Sequence, residues 1–346
     1  MDMKKILDAL LEEGVKEKCY SGAVAACGCR DQVFAISCKG KISENGPDVN
    51  VDTRFDIASL TKIVGPTMVA LRAIEEGDLT LYDRLDRFFP DCPEDKAGIT
   101  IRQLMTHTAG FAPVFWLGGE AESPADVLRA LLAHPLDTPP GAEIHYTCMG
   151  YITLGKVLET IYGKSLDVLV REMVTEPLGM KHTGYCPENL DNIAATEVDP
   201  ETGVAWQGIV HDENSRFQAG VSANAGIFSD IHDLIRYAQM LAQEGKGYLS
   251  RGMLKKASAL QETDGEVARG LGFHLAGTPM NYMGDLFPKT SFGHTGFTGT
   301  SLAVDPETGF FVILLSNRVH PTRENEGIFR FRRRLHNMLY AEFTRE

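Results

Sequence analysis

Strand-like sequence in this chain is confined to its two ends, and what lies between reads as helix and loop. Runs at Gly22–Cys29 and 32–38 follow an amphipathic, charged helical stretch over 3–18. Further runs at 273, 291–294, 300–305 and Phe310–Ser316 precede a last helical pattern over 325–343. Between about 82 and 261 the apolar residues recur at helical spacing, in pieces such as 124–134, 151–162, 166–175 and 231–244. Short strands at opposite ends bury their apolar faces most simply by joining one sheet. The expectation is an α/β (α+β) fold: an antiparallel sheet built from both chain ends, flanked by helices, with a mostly helical inserted lobe. Residues 1–81 and 262–346 then form one lobe of a single domain spanning 1–346, and 82–261 the other. Clefts at such lobe boundaries are the usual place for small-molecule chemistry.

One segment at the edge of this helical region carries chemistry. Ser59 and Lys62 stand three apart in Phe55-Asp56-Ile57-Ala58-Ser59-Leu60-Thr61-Lys62, at the start of a run (59–76) with Leu60, Ile63, Val64, Met68, Leu71 and Ile74 at helical spacing. Residues three apart share a helix face. Taken alone, Ser59 reads as a helix N-cap and Lys62 as a solvated cation. Read as chemistry, the hydroxyl is a nucleophile that needs an adjacent base. Lysine is that base only where burial or a nearby cation disfavours its charge, and the helix N-terminus adds a positive potential that favours an alkoxide or oxyanion.

Two later segments share this chemical character. Tyr146, in His145-Tyr146-Thr147-Cys148, follows a Pro139-Pro140-Gly141 turn that places it on an ordered loop or at a helix start. Near the C-terminus, Gly293-His294-Thr295-Gly296 opens onto strand-like sequence, and a glycine there lets another backbone lie close. In that order and at those intervals the three segments resemble the active-site triplet of serine β-lactamases, penicillin-binding proteins and the related esterases and D-aminopeptidases, in particular the class C group. Segments 101–110, 219–229 and 270–273 resemble structural stretches of the same superfamily, so the likeness covers most of the chain.

The resemblance implies a β-lactamase/transpeptidase-like fold and a serine hydrolase that works through an acyl-enzyme. Ser59 is then the nucleophile, and Lys62 and Tyr146 handle its proton. The Ser59 and Phe297 amides form the oxyanion hole, and Cys148, His294, Thr295 and Gly296 bind substrate. Two positions depart from the β-lactamase pattern. His294 stands where lysine is usual and would titrate near neutrality, and Cys148 stands where asparagine is usual. Both turn the expectation toward an esterase or a D-amino-acid amidase or peptidase and away from a true β-lactamase. The alternative from a different class is a penicillin-binding sensor or a non-catalytic scaffold of the same fold. His107 and His211 read as turn residues.

Composition sets the remaining bounds. A net charge of −13 spread along 346 residues argues against nucleic-acid binding. The basic run 330–334 reads as a solvated helix face. No 18-residue apolar stretch is present to cross a membrane, and the charged N-terminal helix does not resemble a secretory signal, so a cytoplasmic location is expected. Seven dispersed cysteines fit free thiols, and Cys27-Gly28-Cys29 is too little for a zinc site. Neither metal nor cofactor is expected, and the partner is a small ester, amide or peptide substrate. Substrate identity and oligomeric state stay open, as does whether Phe115, Trp116, Trp206, Phe217 and Phe287 line the pocket or the core.

Overall fold

Residues 2–345 are described, from a computed structural model. Eight strands form one antiparallel sheet in the order β2-β1-β11-β10-β9-β8-β7-β6. They span Gly22–Cys29 (β1), Gln32–Gly40 (β2), Glu262–Thr263 (β6), Ala268–Arg269 (β7), His274–Leu275 (β8), Phe292–Thr295 (β9), Ser301–Val304 (β10) and Phe310–Ser316 (β11). The two chain ends meet inside this sheet, one strand in from its β2 edge, where Ala23 pairs with Ser316 and Cys29 with Phe310. A second, three-stranded sheet joins Phe55–Asp56 (β3), Ile227–Ser229 (β5) and Gly184–Tyr185 (β4) in that order, and it anchors the stretch that leads into Ser59.

Alternation along the central strands explains why this sheet is covered on both faces. On β11, Phe310, Val312 and Leu314 join the cluster under the N- and C-terminal helices, while Phe311, Ile313 and Leu315 join the larger cluster beneath the helical region. The N-terminal helix Met3–Lys16 buries Ile6, Leu7, Leu10 and Leu11 on one stripe. Opposite them, Ala23 and Ala25 on β1 are small enough to let that helix lie close. Its Gly14 has no room for a side chain, because a Cβ there would stand 2.2 Å from the Tyr20 hydroxyl. The C-terminal helix Gly327–Phe343 buries Ile328, Phe331, Leu335 and Leu339 beside it, and Arg334 clamps the two helices through a paired contact with Glu13, both at 2.7 Å.

Two expectations are corrected here and one open question is answered. The basic run is not wholly a solvated face: Arg332 is buried and donates to the Thr300 carbonyl at 3.2 Å. Phe287, left open between pocket and core, belongs to the core under the terminal helices, 4.6 Å from the Tyr340 ring. The helix expected over 59–76 is three pieces: a 3-10 turn Ala58–Leu60 and the helices Thr61–Val64 and Pro66–Glu76. Gly65 takes a non-helical conformation (φ −109°, ψ −94°), and Pro66, which has no N–H to offer an earlier turn, starts the next helix.

Candidate active site

The turn that presents Ser59 is held from four directions. Ala58 sits at φ 45°, a left-handed conformation that costs a non-glycine residue roughly 1–2 kcal/mol. Its N–H donates to Asp56 Oδ1 at 2.8 Å, and the other carboxylate oxygen accepts the His211 N–H at 2.7 Å. Thr298 Oγ1 donates to the Asp56 carbonyl at 2.7 Å, Thr300 Oγ1 to the Ile57 carbonyl at 3.1 Å, and the Ile57 N–H to the Ile227 carbonyl at 3.0 Å. Burial pushes the Asp56 carboxyl up to about 6, against the pull of the His211 and Ala58 amides. Gly296, at the end of β9, packs onto this turn so tightly that a Cβ would lie 2.4 Å from the Ile57 carbonyl oxygen.

Ser59 is not a helix cap. Its hydroxyl accepts a hydrogen bond from Lys62 Nζ at 3.0 Å, and its N–H lies in a first turn where amides lack an intrahelical acceptor. Lys62 is fully buried and also donates to the Asn224 carbonyl at 2.9 Å. Asn224 comes from the segment 219–229, and its own side chain is fixed by Ser222 Oγ at 2.7 Å and Asp212 at 2.9 Å. Burial pulls the Lys62 ammonium down, but its acidic neighbours Tyr146, Cys148 and Asp212 more than offset this, and the net effect holds it above its ordinary range. Lys62 is therefore a charged side chain.

Tyr146 lies on the loop just ahead of the helix Cys148–Tyr162, whose cap is Thr147. His107, in a left-handed conformation at the end of the helix Ile101–Thr106, fastens that loop twice. Its carbonyl accepts the His145 N–H at 2.9 Å, and its Nδ1 accepts the Thr147 N–H at 3.3 Å. The Tyr146 ring is surrounded by basic side chains. Lys62 Nζ lies 5.1 Å and the Arg269 guanidinium carbon 5.2 Å from its centroid, and the rings of His107, His294 and His274 lie at 4.5, 6.0 and 6.2 Å. His294, 1 % exposed, donates from Nδ1 to the Thr295 carbonyl at 2.7 Å. Burial, with Lys62 and Arg269 beside it, holds its imidazole well below the usual range. Burial and the same two cations hold His107 well below it too. The expectation that His294 titrates near neutrality is thus corrected: the ring is neutral there.

The other expected site residues are arranged around these. Thr295 pairs with Ser301 across to β10. Phe297 is half-exposed, stacks on His211 at 5.6 Å and accepts Arg318 Nε on its carbonyl at 2.7 Å. Among the described residues its N–H has no acceptor. Cys148, half-buried at the start of its helix, faces Lys62 and Asn224, and burial pushes its thiol up. Trp116 is exposed and meets Phe217 edge-on at 6.4 Å, while Trp206 carries the Arg216 guanidinium at 4.0 Å. Sequence reasoning passed over Arg269, His274 and Asn224. Arg269 and His274 sit on two-residue strands, too short to show alternation, and Asn224 acts through its backbone.

Two other features look like sites and do not share this chemistry. One cavity, of about 1070 Å³, is lined by Arg30, Leu241, Leu254, Lys255, Leu275 and Phe292 and includes none of Ser59, Lys62 and Tyr146. Among the described residues one group, His182, Asp230 and Asp233, could approach a metal ion. Its atoms are already engaged: Asp230 accepts from His182 at 2.6 Å and caps the helix Ile231–Ala242 through the Asp233 N–H, and Asp233 accepts from Thr183 Oγ1 at 2.9 Å.

The profile of the Beta-lactamase family matches residues 7–336. The chain belongs to the beta-lactamase family. It is 30% identical over 318 residues to proteins of Salmonella enteritidis PT4 and Salmonella typhi, each named "Putative D-alanyl-D-alanine carboxypeptidase", covering 80% of this chain and 72% of theirs. Solved structures of the same fold include EstCE1, "a hydrolase with promiscuous acyltransferase activity" (TM-score 0.80, 22% identity, 98% of each chain). Unliganded selenomethionyl simvastatin synthase from Aspergillus terreus aligns over all of both chains (0.80, 20%). An octameric penicillin-binding protein homologue from Pyrococcus abyssi aligns over 95% of this chain and 76% of its own (0.74, 21%). The solved structures show that this chain has the fold of these β-lactamase-like proteins. No helix among the described residues is long and apolar enough to cross a membrane.

Proposed function

We propose that this protein is a serine hydrolase that cleaves ester or amide substrates through an acyl-enzyme on Ser59. The observation that carries this reading is the fully buried Lys62 ammonium 3.0 Å from the Ser59 hydroxyl. A charged lysine cannot accept a proton, so Lys62 steadies the Ser59 oxygen by donating to it, and Tyr146 takes the proton as Ser59 attacks the carbonyl carbon. The Ser59 and Phe297 N–H groups receive the oxyanion. Tyr146 returns the proton to the leaving group, then draws one from the water that attacks the acyl carbon and passes it to Ser59 Oγ as that oxygen leaves, which restores both groups. Substrate enters between the lobe of residues 1–81 and 262–346, which supplies Ser59, Lys62 and His294, and the helical lobe 82–261, which supplies Tyr146 and Asn224.

Within this class the reading favours an esterase or a D-amino-acid amidase or peptidase. A neutral His294 offers no fixed charge to a penicillin carboxylate, and Cys148 is a weak hydrogen-bonding partner for a substrate amide. The carboxypeptidase name carried by the Salmonella relatives supports the amide side of this choice. The test is hydrolysis of p-nitrophenyl acetate and butyrate, a chromogenic cephalosporin and a D-alanine anilide by wild type and Ser59→Ala. Loss of turnover by about 10⁶-fold in the variant, with the fold intact, is the expected outcome. Activity that persists in pure Ser59→Ala protein would sink the assignment, and a covalent adduct that never turns over would point to a sensor.

A further inference from the structure

Arg269 is the one charged group at this site that the reading above leaves without a task. It is 4 % exposed, and its Nε and Nη1 have no hydrogen-bond partner among the described residues. A guanidinium does not lose its proton in a protein, and a buried charge left unpaired costs several kcal/mol. What surrounds it is mostly basic: Lys62 from the helix Thr61–Val64, His107 from the end of Ile101–Thr106, His274 from β8 and His294 from β9. Tyr146 and Tyr151 are the acids that face it from the interior. The carboxylate that reaches it, Asp264, lies exposed on the turn between β6 and β7 and is already engaged by the Glu266 and Val267 N–H groups at 2.8 Å. Asp212, which reaches Lys62, is tied to Asn224. Tyr151 is spoken for by Thr67 at 3.0 Å.

We propose that Arg269 is a positioning residue for the proton transfer at Tyr146, a second cation that acts with Lys62 to balance the negative charge the phenol carries when it serves as base. This rests on the serine hydrolase reading. In the transfer the Ser59 O–H bond breaks, its electron pair stays on Oγ for attack on the carbonyl carbon, and the proton moves to the phenolate oxygen of Tyr146. The guanidinium faces the ring at 5.2 Å, inside the distance at which cations and aromatic faces attract. It exchanges no proton and needs no rearrangement when charge develops on the phenol, which is how preorganised charge is most effective. The backbone fixes its place: Arg269 pairs with His274 on β8, and His274 with Gly293 on β9, next to His294.

The test compares Arg269→Met, which removes the charge, with Arg269→Lys, which keeps it, and uses Tyr146→Phe as a control. Rates of p-nitrophenyl butyrate hydrolysis are followed from pH 5 to 10. Removing a cation from beside a phenol makes its proton harder to lose. Arg269→Met is therefore expected to move the low-pH limb of kcat/KM upward by about one pH unit and to lower kcat at pH 7 by about 10- to 100-fold, with KM little changed. Arg269→Lys restores most of both. Should Arg269→Met not fold, Arg269→Gln carries the same expectation while keeping two N–H donors. A low-pH limb that stays in place overturns the proposal. So does a loss confined to KM for esters bearing a carboxylate, because Arg269 would then bind substrate. Tyr146→Phe at the wild-type rate would instead bring down the underlying reading.

Discussion

The Ser59 side of the site and the Tyr146 side are built on opposite principles. Around Ser59 every polar group that shapes the turn has a partner: both Asp56 oxygens, the Asp56 and Ile57 carbonyls and the Ile57 N–H. Around Tyr146 the buried Nε2 atoms of His107 and His294 and two nitrogens of Arg269 lack one among the described residues. The first arrangement fixes geometry, and strain at Ala58 is tolerated because the surroundings over-determine it. The second arrangement fixes a potential, since two buried cations and a set of neutral imidazoles face one phenol.

Three perturbations break or sharpen this contrast. The largest is expected from Gly296→Ala on the Ser59 side. Its new methyl meets the Ile57 carbonyl and the Thr300 hydroxyl well inside contact distance, and a displacement of about 1 Å there should cost about 100-fold in kcat. Next is Asp56→Asn, whose single side-chain oxygen cannot serve the N–H groups of both Ala58 and His211. A loss of about 1–3 kcal/mol in denaturant unfolding is expected, with a parallel fall in kcat. Unchanged kcat in a destabilised Asp56→Asn protein would show that this carboxylate holds the fold and not the nucleophile.

The smallest effect is a slope. His107 and His294 bind protons far more weakly in the folded chain than the ordinary 6.5 of an unfolded one. Their contribution to stability is full above about pH 6.5 and is lost as pH falls below it, by about 1.4 kcal/mol per pH unit for each. Asp56 acts in the other direction: its folded value, raised to about 6, makes its contribution greatest at low pH and lost as pH rises through 6. Unfolding free energies between pH 5 and 8 should therefore fall on the acid side, less steeply in His294→Gln and more steeply in Asp56→Asn.

The central sheet was legible from sequence because its strands carry dense apolar runs, and Gly22–Cys29 and Phe310–Ser316 were placed with their observed bounds. The triplet was legible because Ser59, Lys62 and Tyr146 combine special residue types with special neighbours. Other features were not. Gly65-Pro66 interrupts a stripe of apolar residues that continues unbroken on either side, so periodicity alone carried the helix through. The two-residue strands that hold Arg269 and His274 are shorter than any pattern can register. The state of His294 depends on burial and on cations drawn from distant parts of the chain, which no local reading of His294-Thr295-Gly296 supplies.

The hydrogen bond from Thr298 to the Asp56 carbonyl joins residues 242 apart. During synthesis the nucleophile leaves the ribosome early, while the strand that braces its turn comes among the last stretches made. β1 likewise waits for β11 before it gains its central neighbour. Contacts of such long range are slow to form, so the emerging chain passes most of its synthesis with Ser59 present and its supports missing. Reactivity then arrives as a late event in the life of each molecule, coincident with completion of the sheet, and a product truncated before residue 298 carries the nucleophile without the means to hold it.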